Sequence, residues 1–216
     1  AFADQAALAL YNAQLFSAER DQRALAEALQ DIATIINSTL DVDVVTDRLL
    51  DNLKRVLLHD SASLMLIDDD GIGRIVRHRG FVERGLGAWV SQLRLPIETT
   101  PTLKRMADTR QPIVIANTAT DPEWIPYPQI AWIRSYAGAP IHREGRVFGY
   151  LQVESAWPNF FNEEHANRLQ SFADQAAIAL QNAQLFQDVQ QQATALQIQA
   201  QKLALVNRVS THVAHH

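Results

Sequence analysis

The chain has 216 residues, which suits one medium domain with extra helix or linker better than two full domains, and its 47% apolar and 20% charged residues can form a sizeable core without staples. Nineteen Lys and Arg against 24 Asp and Glu leave a net charge of −5, and no basic cluster interleaves with aromatics, so binding driven by nucleic-acid phosphates is set aside. The absence of cysteine removes disulfides, thiolate catalysis, cysteine-based zinc sites and any cofactor held covalently through sulfur, and it fits a reducing compartment, with the cytosol as the expected location.

No apolar run approaches the roughly 18 residues of a membrane span, and no basic stretch precedes an apolar leader. The chain opens at Ala1 in mid-helix and without an initiator Met, which reads as a piece of something longer. Residues 1–16, AFADQAALALYNAQLF, agree at 13 of 16 positions with residues 171–186, SFADQAAIALQNAQLF, at an offset of 170. A period that long suits one whole domain per repeat, so residues 1–16 read as the last helix of a preceding copy. The expected division is 1–27 for that helix and a connector, 28–186 for a central domain, and 187–216 for a second connector leading to a next module.

Both connectors carry apolar residues at spacings of three, four or seven, which puts each set on one helical stripe. Leu8, Tyr11, Leu15, Ala18, Leu25, Leu29, Ile32 and Ile36 form the first set; Leu185, Val189, Ala193, Leu196, Ala200, Leu203 and Val206 form the second. Leu29, Ile32 and Ile36 echo Val206, Val209 and Val213 at an offset of 177, seven more than the first, so the second connector is longer by one heptad and keeps its face. Between Gln181 and Gln201 nine residues are Gln and only Asp188 is charged, too polar a circumference for a core helix. The expectation is a parallel homodimer whose seam includes Leu8, Leu15, Leu25, Leu29, Ile32, Leu185, Val189, Leu196 and Leu203; the alternative is a helix lying on its own domain.

Between the connectors, residues 41–58 place Val45, Leu49, Leu53 and Val56 or Leu57 at helical spacing, with Asp41 or Asp43 to cap the first turn. SASLMLI (61–67) and a segment near Arg74–Arg79 read as a hairpin turning at Asp68-Asp69-Asp70-Gly71. Residues 83–94 and 100–109 read as short helices, the second starting near Pro101, and 112–116 as a buried strand. DPEWIPYPQIAWIRS (121–135) reads as a structured loop with a helical turn near Gln129–Ile133. Residues 135–144 and 146–156 form a second hairpin turning at Glu144-Gly145, its strands marked by Phe148, Leu151 and Val153, and Asn162 caps the final helix ahead of Glu163 and Glu164. This order gives an α+β architecture, an antiparallel sheet with helices on its faces.

No enzyme constellation survives inspection. His165 after Glu163-Glu164 lacks the second His of a zinc-protease helix, and Gly71-Ile72-Gly73 lacks the third Gly and the strand-to-helix context of a nucleotide loop. Asp68-Asp69-Asp70 has no closing Glu at calcium-loop spacing, so no metal is expected. His212, His215 and His216 lack the acidic residue and the Arg-Thr-Pro run of a kinase phospho-acceptor, and read as a terminus or a tag.

Three segments, QPIVIANTATDPEW, IRSYAGAPIHREGRVFGYLQVES and FFNEEHANRLQSFADQAAIALQNAQLF, make the chain resemble a GAF domain over about residues 28–186. The resemblance implies a GAF/PAS-like six-stranded antiparallel sheet, the terminal helices on one face, a ligand pocket on the other, and long coiled-coil-like signalling helices at both ends. It implies a tandem-GAF bacterial signalling protein of sensor histidine kinase or cyclase type, a two-component-like cytoplasmic context, and neighbouring GAF and effector domains. Relatives that resemble phytochromes hold a linear tetrapyrrole, often through Cys, and covalent bilin is excluded here; the Asn-Lys pair of the cyclic-nucleotide group is also absent. The cofactor is therefore unknown. On the variable face the expected ligand residues are Trp89, Trp124, Tyr127, Trp132 and Tyr136 as apolar walls, with Arg77, Arg79, Arg134, Ser135 and Gln152 as orienting groups. Two readings stand: a regulatory module that senses an unidentified small molecule, or a structural spacer whose pocket is plugged by its own aromatics.

Overall fold

The computed structural model of the chain describes residues 42–213 together with a scatter of residues between Gln5 and Gln30, which are helical. Helix α1 (Val42–Val56) forms where Val45, Leu49 and Leu53 recur at helical spacing, and all three are buried. Asp43 lies in its first turn, where the helix dipole favours an acid, and Asp41 lies outside the described residues. Strands β1 (Ser61–Ile67) and β2 (Ile72–Arg79) follow as a hairpin. Their turn needs Gly71, whose φ of +74° is a left-handed value, and closes with the Asp68 N–H donating to the Ile72 carbonyl at 3.0 Å.

The segment expected to be one short helix over 83–94 divides into helix α2 (Gly87–Gln92) and an edge strand β3 (Arg94–Pro96) paired with the start of β2. Three residues ending in Pro carry no periodicity, so this strand left no signal in the sequence. After a single 3₁₀ turn (Ile97–Thr99), helix α3 (Pro101–Thr109) starts with Pro in its first turn, followed by β4 (Ile113–Ile115). The loop from 116 to 134 holds one 3₁₀ turn at Pro128–Ile130. Strands β5 (Ser135–Arg143) and β6 (Arg146–Ser155) form the second hairpin, with Glu144 and Gly145 at φ 52° and 83°, the pair of left-handed residues that two-residue hairpin loops favour.

The six strands form one sheet in the order β3-β2-β1-β6-β5-β4, and every neighbouring pair is antiparallel. Pro140 sits within β5 opposite Tyr150 of β6, beyond the point where β4 ends opposite Gly138, so its missing N–H falls on an unpaired edge. One face of the sheet packs against α1 and the last helix, α4 (Glu163–Val213), around Leu50, Leu53, Leu64, Ala137, Ala139, Leu151, Val153 and Phe172. The other face carries a second cluster, Met65, Leu103, Met106, Ile115, Tyr136 and Tyr150, beneath α3 and the loops.

Helix α4 opens with reciprocal caps: the Asn162 carboxamide accepts from the His165 N–H (3.0 Å), and the His165 imidazole accepts from the Asn162 N–H (3.3 Å). Burial, and then the neighbouring Arg168, lower the His165 pKa and favour the neutral ring this cap requires. Its sheet-facing stripe is alanine-rich, with Ala173, Ala176, Ala177, Ala179 and Ala183 all buried, which lets the helix lie close to the strands; Gln170 adds a 3.1 Å hydrogen bond to the Pro140 carbonyl.

Phe172 is completely buried in this layer, whereas Ile178 on the same helix is 41% exposed. In urea unfolding, Phe172→Ala is expected to destabilise the domain by about 3–5 kcal/mol, and Ile178→Ala by a much smaller amount.

Candidate functional site

Strict alternation along β6 sends Tyr150, Gln152 and Glu154 to the face opposite the helices, while Leu151 and Val153 enter the helix-side core. The flanking strands supply matching residues: Ser61, Ser63 and Met65 of β1 stand opposite Glu154, Gln152 and Tyr150, and Tyr136 and Gly138 of β5 stand opposite Glu154 and Gln152. The Tyr136 hydroxyl donates to the Gln152 carboxamide oxygen at 3.1 Å, and its ring runs over Gly138, where a side chain would also meet the Met106 sulfur at 2.9 Å. Of these residues, Ser63, Met65, Tyr136, Gln152 and Glu154 form the floor of a cavity of about 80 Å³, several times the roughly 10–15 Å³ one water needs.

The cover comes from α2, the start of α3 with the residue before it, and the 116–134 loop, which contribute Trp89, Thr100, Leu103, Trp124 and Tyr127. Trp89 meets Tyr127 edge-on with centroids 5.9 Å apart, and Trp124 leans on Tyr136 at 5.3 Å. Two polar ties hold this layer down: the Tyr150 hydroxyl donates to the Leu103 carbonyl at 3.0 Å, and Arg105 of α3 pairs with Glu123 of the loop at 2.8 Å.

The floor carries one carboxyl. Glu154 is 4% exposed, accepts a 2.6 Å hydrogen bond from the Ser61 hydroxyl, and is pushed by burial up to about 8, so at neutral pH it is mostly protonated. Beside it, Gln152 is 7% exposed and its amide nitrogen has no hydrogen-bond partner. Burial, and then the neighbouring Glu154, raise the Tyr136 phenol well above its ordinary range. Among the described residues, the cavity lining contains no Lys, Arg or His.

Of the ten residues expected around a ligand, Trp89, Trp124, Tyr127, Tyr136 and Gln152 line this cavity together. Arg77 and Arg79 do not, and the reason is a β-bulge. The β1–β2 register shifts between Leu64 and Met65, leaving Val76 as the extra residue, so Arg77 and Arg79 turn to the helix face instead of following Ile75 into the cavity. There Arg77 pairs with Asp43 of α1, and Arg79 with Asp47 (2.9 Å) and Asp51 (2.8 Å). Trp132 lies outside the lining, against Phe81 and beneath the Arg84 guanidinium at 3.8 Å. The Arg134 backbone ties the loop to Ser155 at 2.8 Å and to Thr118 at 3.0 Å. Ser135 is a buried latch, donating to the Ile115 carbonyl (3.1 Å) and accepting from the Phe161 N–H (3.3 Å). Glu154 and Ser63 also line the cavity and are absent from the expected set; the available signal was an acid in phase with Gln152 and Tyr150 on a strand that is otherwise largely apolar.

Beyond Ala183, helix α4 buries none of its described side chains; Leu185, Val189 and Leu196 are 55%, 61% and 67% exposed, and Leu15 is 51% exposed. Leu8, Leu25, Leu29 and Ile32, expected on the same seam, lie outside the described residues, as does the Leu203 side chain. Among the described residues no helix is long and apolar enough to cross a membrane, and no cluster of His, Asp and Glu has the makings of a metal site.

The family model described as GAF domain matches residues 39–181. The fold is similar to the GAF domain of a phosphoenolpyruvate-protein phosphotransferase from Coxiella burnetii, with 20% identity, a TM-score of 0.65, and coverage of 77% of this chain and 98% of that one. It is also similar to a phycoerythrobilin-bound GAF domain from a cyanobacterial phytochrome (18% identity, TM-score 0.63, coverage 74% and 96%). A third similar fold is the free methionine-R-sulfoxide reductase from Neisseria meningitidis in complex with its substrate (18% identity, TM-score 0.61, coverage 74% and 90%). No curated protein gives a significant match.

A carboxyl whose pKa is higher in the folded chain keeps its proton where the unfolded chain has lost it, so Glu154 makes stability fall as pH rises from 4.5 to about 8. Denaturant unfolding across that window is expected to show Glu154→Gln gaining stability relative to the native sequence as pH rises, with the difference flat below and above the window. His59, His78 and His165, all lowered chiefly by burial, contribute with the opposite sign and are common to both proteins, so they cancel in the comparison.

Proposed function

The chain belongs to the GAF domain family, and we propose that it is a non-catalytic regulatory and sensory module that forms a parallel homodimer through its flanking helices. In this reading a ligand, or the state of a neighbouring module, biases how the paired helices pack, and the helices carry that bias to a downstream effector in the cytosol. The observation that supports it most is the continuity of α4. One helix lies on the sheet as far as Ala183 and then runs on for about 45 Å at 1.5 Å per residue, with Leu185, Val189 and Leu196 along an exposed stripe.

The internal repeat supports a tandem-GAF parent of sensor kinase or cyclase type. Within 171–186, α4 buries Phe172, Ala173, Ala176, Ala177, Ala179, Leu180 and Ala183, and 170 residues earlier stand Phe2, Ala3, Ala6, Ala7, Ala9, Leu10 and Ala13, identical at every position. The three mismatches fall at Ser171, Ile178 and Gln181, none of which is buried. What repeats is a face for packing on a sheet, and Ala7, matched to buried Ala177, is exposed in this chain.

The non-catalytic reading is supported by the residues of the site. The chain has no thiol to act as nucleophile or reductant, and the one carboxyl of the lining is mostly protonated at neutral pH with Ser61 as its partner. The second reading, a dimerising spacer with a plugged pocket, draws on the close seating of Trp124 on Tyr136, and it requires an output insensitive to substitutions at Trp124.

Light scattering of residues 1–216 is expected to give a dimer, and paired Val189→Glu and Leu196→Glu substitutions a folded monomer; a native chain that stays monomeric at all concentrations overturns the dimer. In the full-length parent, inserting four residues near Gln192 is expected to disrupt regulation, while inserting seven, which restores the helix face, preserves it.

A further inference from the structure

We propose that the cavity over β6 takes a small organic cation, an amine or methylated ammonium head group, held between the aromatic rings of the cover and the carboxylate of Glu154. This rests on the reading of the cavity as a ligand site and adds the class of ligand. The lining gives an anion no counter-charge, since it holds no Lys, Arg or His, and sets it against an acid. A neutral molecule leaves the Glu154 carboxyl as it stands, with Ser61 alone as partner. A cation finds two attractions that the other classes do not: the aromatic rings of Trp89, Trp124 and Tyr127 in the lining, and a desolvated carboxylate. The unpartnered amide nitrogen of Gln152 additionally calls for an acceptor, which a hydroxyl or ether oxygen close to the ammonium supplies.

Binding of this kind moves one proton. Glu154 titrates near 8, so at about pH 7 roughly one molecule in ten is already ionised; the cation draws the rest to the carboxylate, and the carboxyl proton leaves to solvent. The other titratable groups around Glu154 are occupied or neutral. Tyr136, across from it on β5, is held protonated by burial and donates to Gln152. Asp60, before β1, is taken by Ser155 (3.1 Å) and the Ala156 N–H (2.7 Å), with Arg84 at 3.6 Å. Arg105 and Glu123 pair with each other, the Tyr150 hydroxyl donates to Leu103, and His78 of β2 lies 3.3 Å from the Ser91 hydroxyl with its pKa lowered chiefly by burial.

The test uses residues 1–216 with choline chloride as probe, beside its neutral isostere, in which a tert-butyl group replaces the trimethylammonium, and sodium acetate. Indole N–H resonances of Trp89 and Trp124 report occupancy, and calorimetry in two buffers of different ionisation heat reports proton release. Choline is expected to shift both indoles, to release about one proton per site at pH 7, and to bind about tenfold more tightly at pH 9; the neutral isostere binds at least tenfold more weakly without proton release, and acetate does not bind. Glu154→Gln removes the pH dependence, and where that variant fails to fold, the proton count on the native chain decides. Indoles unmoved by millimolar choline, an isostere that binds equally well, or binding without proton release overturns the proposal. Cation binding with no change in cross-linking between helices at Val189 and Leu196 leaves the ligand class intact and removes transmission. A dimer that responds to its neighbour but ignores cations removes the ligand class alone.

Discussion

Strand β6 is buried on both faces, and the alternation of its side chains fixes what lies on each side of the domain. Leu151 and Val153 belong to the layer shared with α1 and α4, while Gln152 and Glu154 belong to the cavity floor and Tyr150 to the apolar cluster on the same face. Because the period is two, a slip of one residue in the pairing with β1 or β5 would drive Glu154 into the helix-side core and expose Leu151 to the cavity. The apolar core and the polar floor therefore specify one register together. The bulge near the hairpin turn confirms how local this control is: the register moves between Ile141 and His142, leaving Phe148 as the extra residue and turning it to the same core as Leu151 and Val153.

This two-faced strand also bears on communication. Glu154 and Val153 are adjacent, one on the cavity and the other in the core that α4 covers, and Ser135 on β5 contacts Phe161 at the entry to that helix. The cavity floor and the core under α4 are thus built from neighbouring residues of the same two strands. The small residues of the helix matter here, since buried alanines at 173, 176, 177, 179 and 183 let α4 lie close to the sheet.

Legibility in the sequence followed the range of the interactions involved. Helix α1, the two hairpins and the start of α4 are readable because their signals are local: Leu49 and Leu53 at helical spacing, Asp-Gly and Glu-Gly at turns, Asn162 as a cap. The internal repeat makes α4 readable from the residues alone. Strand β3 is not, because three residues carry no period. The site is half legible. Its aromatic walls are apparent from composition around Trp124 and Tyr127, but the direction of Arg77 and Arg79 depends on a bulge at Val76, set by pairing between strands and not by any residue of the hairpin itself. Glu154 escapes notice because a lone acid near a strand end reads as solvent-facing, and only the partner strands and the cover bury it.

A plug and a sensor place different demands on that floor. A cavity meant only to be filled is best lined with apolar residues, whereas this floor turns the amide of Gln152 toward the cavity. Glu154 adds a carboxyl whose ionisation burial opposes, secured by one serine. Leucine at 152 and 154 would remove both groups but would strand the buried Tyr136 and Ser61 hydroxyls that bond to them, so the floor is built as two polar pairs and not as an apolar surface with isolated exceptions. Chains depart from local consistency mainly where a site requires it. The departure here is confined to adjacent rungs on one strand, under the aromatic cover and within reach of a cavity, which is where a ligand-dependent role would place it.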